Sequence, residues 1–185
     1  MKGKSYNQAY FERRNPLFSG IKSCFYVIFI KLFLRPKNLL DVGCAEGKLV
    51  KWALKWKIEA LGVDISSQGF VKAKPIVQAR CQIGDILKLP FKNSQFEVVT
   101  CLALMEHIEV KRTDFALKEL LRVSQKYVLL QICVKDNPFE GKHYLLDSTH
   151  VNVKKSNWWT TKLKNLNLEV SLALPKLGLF LIKKK

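Results

Sequence analysis

The chain has 185 residues, 48% of them hydrophobic and 11% aromatic, which excludes a disordered chain and suits one domain burying roughly 70% of its unfolded surface. Lys and Arg outnumber Asp and Glu 32 to 15, for a net charge of +17. That charge fits either an anionic partner (nucleic acid, a phosphorylated metabolite or an acidic membrane surface) or a heavily solvated surface. The five cysteines are scattered and form no C-x-x-C pair, which argues against a disulfide framework or zinc site and for a reducing, intracellular setting.

The N-terminal MKGKSYNQAYFERRNP lacks the apolar core of a signal peptide, and a cytoplasmic location is expected. Residues 24–34, CFYVIFIKLFL, fall well short of the roughly 20 apolar residues that span a bilayer. They predict a core-packing helix, with membrane-surface contact as the alternative that Lys22, Lys31, Arg35 and Lys37 keep open. Residues 38–42 then read as a strand that stops at Gly43-Cys44-Ala45-Glu46-Gly47. Apolar spacing at Leu49, Val50, Ala53 and Leu54 predicts a helix over 48–57, and residues 60–64 a second strand ending in Asp64.

Further strands are predicted over 79–84, 96–101 and 127–132, with helices over 67–72 and 113–123. Ser156-Asn157-Trp158-Trp159 reads as a capped helix start whose tryptophans belong to the core. Alternation over 168–174, a turn at Pro175-Lys176 and a strand-like run over 177–182 predict a closing hairpin. The expected fold is α/β: a single Rossmann-like, doubly wound, seven-stranded sheet, mostly parallel with an antiparallel C-terminal hairpin strand.

A carboxylate at the tip of a second strand can accept hydrogen bonds from both hydroxyls of a bound ribose. Strand, small-residue loop, helix, strand and acid therefore make a nucleotide-binding βαβ unit. Asp64 follows Gly43 by 21 residues, close to the roughly 20 of such units. A dinucleotide would require glycine at the later positions of G-x-G-x-x-G, where backbone meets pyrophosphate and helix meets strand. Those positions hold Ala45 and Lys48. The series here is Gly43, Ala45 and Gly47 led by Asp41, which suits a ligand without phosphates whose amino-acid end lies against the loop.

This pattern resembles motif I of the class I S-adenosylmethionine (SAM)-dependent methyltransferases. The likeness continues through Gly84-Asp85-Ile86, Leu89-Pro90-Phe91, Phe96-Glu97-Val98-Val99 and Met105-Glu106-His107-Ile108, with Glu97 where the family usually has aspartate. The resemblance implies one methyltransferase domain over 1–185: a helical cap over 1–37, a cofactor core over 38–132, an acceptor-side insertion over 133–165 and a hairpin over 166–185. It implies SAM as cofactor and S-adenosylhomocysteine as product. Gly43, Ala45 and Gly47 would lie under the methionine part, supported by Asp41, while Asp64 and Ile65 hold the ribose. Asp85 and the Ile86 N–H would meet the adenine, and Cys101 would line the methionine side. Tyr10, in a lead-in with Tyr6 and Phe11, would cover the cofactor, with Arg13 or Arg14 pairing its carboxylate.

Methyl transfer from a sulfonium is an in-line displacement with a neutral leaving group. The protein must align the acceptor, exclude water and, for some O- or N-acceptors, remove a proton. His107, His143 and His150 are candidate bases, His150 foremost. A Glu-x-x-Glu-His version of the segment around Glu106 binds a divalent metal in ubiquinone-pathway and small-RNA methyltransferases. Ala103 occupies its first acid position here, so no metal is expected, and Glu106 and His107 would shape the pocket wall. Asp147-Ser148-Thr149-His150-Val151 resembles an acceptor-side segment of small-molecule members; His150 is then a base, or a loop histidine bonded to Asp147. A small-molecule acceptor is expected. An RNA methyltransferase and a noncatalytic SAM-binding scaffold subunit are the rivals.

Overall fold

The computed structural model of the chain describes residues 16–71, 73–139 and 147–184, with side chains from residue 20 onward. Seven strands form one sheet: β1 Asn38–Val42, β2 Glu59–Asp64, β3 Cys81–Ile83, β4 Phe96–Leu102, β5 Ser124–Gln131, β6 Glu169–Leu174 and β7 Leu179–Lys183. Their order is β3-β2-β1-β4-β5-β7-β6. The first five run parallel, and β7 lies antiparallel between β5 and β6. This is the mostly parallel, doubly wound sheet with an antiparallel C-terminal hairpin that the apolar runs predicted.

Alternation along the strands divides the core into two layers. Leu40, Val42, Val99, Cys101, Val128, Leu130, Phe180 and Ile182 face one side, where they meet α4 (Thr113–Val123) and α5 (Ser156–Asn165). Leu39, Val98, Leu129 and Leu181 face the other, against α1 (Pro16–Phe29) and α2 (Lys48–Lys55). Strands covered on both faces must be apolar on both, which is why they read as continuous runs.

The helix predicted over 24–34 begins earlier, at Pro16, and its last turn, Ile30–Leu34, widens to π geometry. Arg35 ends it in the left-handed region (φ 47°), donating its N–H to the Ile30 carbonyl at 2.9 Å, and Pro36 prevents continuation. Val27 and Ile30 are buried as expected of a core helix, whereas Ile21, Phe25, Leu32 and Phe33 are exposed.

The helix predicted over 67–72 does not form; turns at 67–71 precede a single helical turn, α3 (Pro75–Gln78). Gly69 presses so closely on the Ala45 backbone that a Cβ there would lie 2.7 Å from its carbonyl, so packing overrides local preference. Pro75 instead starts the helix at a position where its missing N–H costs nothing.

At the hairpin, Gly178 adopts φ +65° and its carbonyl accepts from Ile132 N–H at 2.9 Å. A Cβ at Gly178 would fall 1.8 Å from the Ile132 oxygen, so this turn admits only glycine.

Candidate functional site

Strand order reverses at β1, which pairs with β2 on one side and β4 on the other. Val42 is in register with both Val63 and Cys101, so the loops leaving these strands open into one crevice, the usual ligand position in an open α/β sheet.

The 43–47 loop is shaped by backbone conformations that disfavour most side chains. Gly43 (φ +80°), Ala45 (φ 47°) and Gly47 (φ +66°) all lie in the left-handed region. Gly43 and Cys44 N–H both donate to the Val63 carbonyl, at 2.8 and 3.1 Å. The Asp64 carboxylate accepts from Ala45 N–H at 2.9 Å and from Ser66 N–H at 3.0 Å. The acid predicted at the second strand tip thus touches the loop directly and holds its curve.

Asp41 is almost wholly buried and accepts a 2.8 Å hydrogen bond from the Thr100 hydroxyl. Burial pushes its carboxyl up to about 7; the Thr100 bond opposes this and nearby Asp64 reinforces it. Burial also raises the Cys101 thiol well above its ordinary value, with Glu106 and Asp41 adding to it.

A cleft of about 330 Å³ opens over this loop, lined by Asp41, Gly43, Cys44, Ala45, Glu46 and Leu102, among others. Its far wall is α1, which contributes Lys22, Ser23 and Tyr26, and Gln131 enters from the end of β5. Sequence reasoning missed these four residues. The signal for the helix was present: Lys22 and Tyr26 are four apart and Ser23 and Tyr26 three apart, so these polar residues share one face of it.

The remaining predicted cofactor residues among those described do not line this cleft. Gly47 starts α2, where a Cβ would strike Val77 at 2.6 Å. Ile65 is exposed beyond β2, Ile86 is core, and Cys101 lies fully buried one residue before Leu102. Asp85 accepts from Leu87 N–H at 2.9 Å, closing an Asx turn. Tyr6, Tyr10, Phe11, Arg13, Arg14 and His143 lie outside the described residues.

Beyond β4, the short 3₁₀ turn Met105–His107 meets the 147–152 segment. The Glu106 carbonyl accepts from Val151 and Asn152 N–H, both at 2.9 Å, and Asn152 reaches the Thr113 hydroxyl at 3.1 Å. His107 Nδ1 lies 2.9 Å from the Thr149 hydroxyl, which donates to Asp147 at 2.5 Å. His150 Nε2 stands 3.6 Å from the other Asp147 oxygen, and the two imidazoles meet edge to face with centroids 4.7 Å apart. Burial works against the charge of Asp147, but the Thr149 hydroxyl and N–H, with His150 and His107, hold its carboxyl below the usual range.

Two of the three candidate histidines, His107 and His150, are therefore neighbours, and His150 lies within ion-pair distance of Asp147, not in the expected hydrogen bond. Ser156 is the first residue of α5, not its cap: its N–H and hydroxyl both donate to Asp136 at 2.7 Å. Trp159 is core as expected, and Trp158 is half-buried.

Among known proteins, the methyltransferase-domain family matches residues 39–126. Norajmaline N-methyltransferase from Rauvolfia serpentina is 32% identical over 98 residues, covering 49% of this chain and 33% of that enzyme. The chain thus spans about a third of the length of that relative. A SAM-dependent methyltransferase from Archaeoglobus fulgidus superimposes over 93% of this chain and 96% of its own, with TM-score 0.73 and 15% identity. The [4+2]-cyclase SpnF superimposes over 86% of this chain and 61% of its own, with TM-score 0.65 and 18% identity. The shared fold thus carries more than one chemistry, and activity must be argued from the site.

Proposed function

We propose that this chain, whose residues 39–126 match the methyltransferase-domain family, is a class I methyltransferase that binds SAM and transfers its methyl group to a small-molecule acceptor. The observation that carries this reading is the loop 43–47, bound by Asp64 and floored by the buried carboxyl of Asp41. When ionised, Asp41 gives the cleft a negative floor suited to the ammonium and sulfonium charges of SAM. Asp64, at the tip of β2, would accept from the ribose hydroxyls with its remaining lone pairs.

The chemistry needs little beyond alignment: the acceptor attacks the methyl carbon in line with the departing sulfur, which leaves neutral. An acceptor resting against the Met105–His107 turn and the 147–152 segment has two imidazoles within reach. His150 or His107 takes a proton where the acceptor must lose one. The N-methyltransferase relative acts, by its name, on a small molecule. The net charge of +17 favours a second reading, with RNA as the acceptor.

The test is calorimetric titration of SAM and S-adenosylhomocysteine into ligand-free protein and into Asp64→Ala. Losing a charged hydrogen-bond acceptor costs about 1.5–3 kcal/mol, so the substitution should raise Kd at least tenfold. A labelled-methyl screen of acceptors then reads turnover. Absence of cofactor binding by the wild-type protein refutes the reading; binding without turnover on any small-molecule or RNA acceptor would indicate the scaffold role.

A further inference from the structure

The net charge of +17 and the outer side of α1 are two features that the methyl-transfer reading leaves unused. We propose that the face shared by α1, its widened last turn and α2 binds the surface of an anionic phospholipid bilayer. Val27 and Ile30 turn inward to the core. On the outer side Ile21, Phe25 and Ile28 follow one another at i, i+4 and i+7, and Leu32 continues the row into the widened turn. Phe25 is 69% exposed and Phe33, in the same turn as Leu32, 72%. Rings left this far in water add little to the fold, and a contiguous apolar patch on a protein surface marks a site of contact.

The second helix extends the patch. A recess of about 470 Å³ lies between the two helices, lined by Ile21, Phe25 and Ile28 from α1 and by Lys51 and Trp52 from α2. Lys55 stands over the Trp52 ring, 4.7 Å from its centre, and Lys51 and Lys55 are both exposed.

Charge selects the partner. Residues 16–34 and 48–55 include Lys22, Lys31, Lys48, Lys51 and Lys55 but no Asp or Glu, and Arg35 and Lys37 follow α1. The nearest acid before α2, Glu46, pairs with Lys48. Apolar side chains set among lysines are the composition of a helix lying in a membrane interface. The rings enter the boundary between headgroups and acyl chains, while the ammonium groups stay with the phosphates. Rings this exposed need a phase that deforms around them, which acyl chains provide and a folded surface does not without a matching pocket. A second copy of the chain would bring the same lysines face to face, and the charge of +17 on each copy opposes that contact. The contact is peripheral: no helix among the described residues is long and apolar enough to cross a membrane.

The same α1 walls the cleft over the 43–47 loop through Lys22, Ser23 and Tyr26. Seated in this way, the chain holds that cleft close to the lipid surface, where a lipid-soluble acceptor is concentrated. That consequence rests on the methyl-transfer reading; bilayer binding does not.

The test is flotation of the full chain with vesicles of phosphatidylcholine alone and of phosphatidylcholine mixed with phosphatidylglycerol. The expected result is binding to the mixed vesicles only. Phe25→Ser with Phe33→Ser should lower the partition coefficient at least tenfold, since withdrawing one phenylalanine from water is worth about that much. Lys51→Glu with Lys55→Glu should lower it by a similar factor, at about fivefold per lysine near an anionic surface. Lys118→Glu with Lys164→Glu makes the same change of charge on the helices of the opposite layer and should change it little. Circular dichroism confirms that all three variants fold. No binding to mixed vesicles, equal binding to both kinds of vesicle, no loss in the serine variant, or equal losses from the two lysine pairs each overturns the proposal. Vesicle binding without SAM binding would leave this surface standing and refute the donor reading instead, and SAM binding without vesicle binding would do the reverse.

Discussion

Replacing Asp41 with asparagine should stabilise the ligand-free protein above neutral pH while weakening the proposed binding of SAM. The Asp41 carboxyl is raised from 3.8 to about 7, chiefly by burial. Between about pH 4 and pH 7 the folded protein therefore keeps a proton that the unfolded chain has released. Stability falls as pH rises across that window and levels off above it. A shift of about three units at 1.36 kcal/mol each is on the order of 4 kcal/mol. The asparagine would carry no charge, and its side-chain oxygen would still accept the Thr100 hydroxyl that Asp41 accepts at 2.8 Å.

The gain of Asp41→Asn over wild type should therefore be about 1.5 kcal/mol near pH 5 and grow to the order of 4 kcal/mol at pH 8. In a domain of this size 1 kcal/mol moves Tm by about 2–4 °C, which makes the expected rise at pH 8 roughly 10 °C. Thermal and urea melts of both proteins at pH 5, 6, 7 and 8, without ligand, read the difference directly. SAM titrations should show the opposite preference, with weaker binding by the variant and tighter wild-type binding at pH 8 than at pH 6. A stability difference that stays constant from pH 5 to pH 8, or a loss at pH 8, would refute the reasoning.

Gly62→Ala should cost about 1–3 kcal/mol as an overpacked site, because its Cβ would lie 2.7 Å from Cys44 Sγ and 2.9 Å from Cys81 Sγ. The displaced Cys44 sits in the 43–47 loop, so urea melts should show the stability loss and calorimetry a parallel loss of SAM affinity; an unchanged midpoint sinks the packing argument. If RNA is the acceptor, labelled single strands should bind with log K falling linearly against log salt concentration. Anisotropy that shows no binding at low salt removes that reading.

The 43–47 loop and the strands that flank it were legible because their determinants are local. Gly43 and Gly47 announce positive φ, the apolar run before Asp41 announces a buried strand, and Asp64 falls where that strand's neighbour must end. What the sequence hid depends on contacts between distant segments. Lys22, Ser23 and Tyr26 reach the cleft only because the opposite face of α1 packs on the sheet. The 67–72 helix fails because Gly69 is pinned to Ala45, and Ser156 yields its capping role to Asp136, twenty residues earlier. His107 and His150 lie 43 positions apart, and no periodicity links them; the two bonds to the Glu106 carbonyl do.

These two kinds of determinant divide the molecule's tolerance for change. The 43–47 loop is made largely of backbone: glycine conformations, the Val63 carbonyl and amides captured by Asp64. A side chain added at Gly43 would press on Leu104 at 2.9 Å, and one at Gly47 on Val77 at 2.6 Å, so changes there disturb loop and core together. The opposite half is made of side chains on a docked segment, Asp147, Thr149 and His150, which can be exchanged without altering any strand of the sheet. On the proposed reading, substitutions at residues 105–107 and 147–152 should change acceptor preference with the 43–47 loop intact. A crevice set by backbone can persist while the side chains around it change, and the fold is indeed shared by a SAM-dependent methyltransferase and a cyclase.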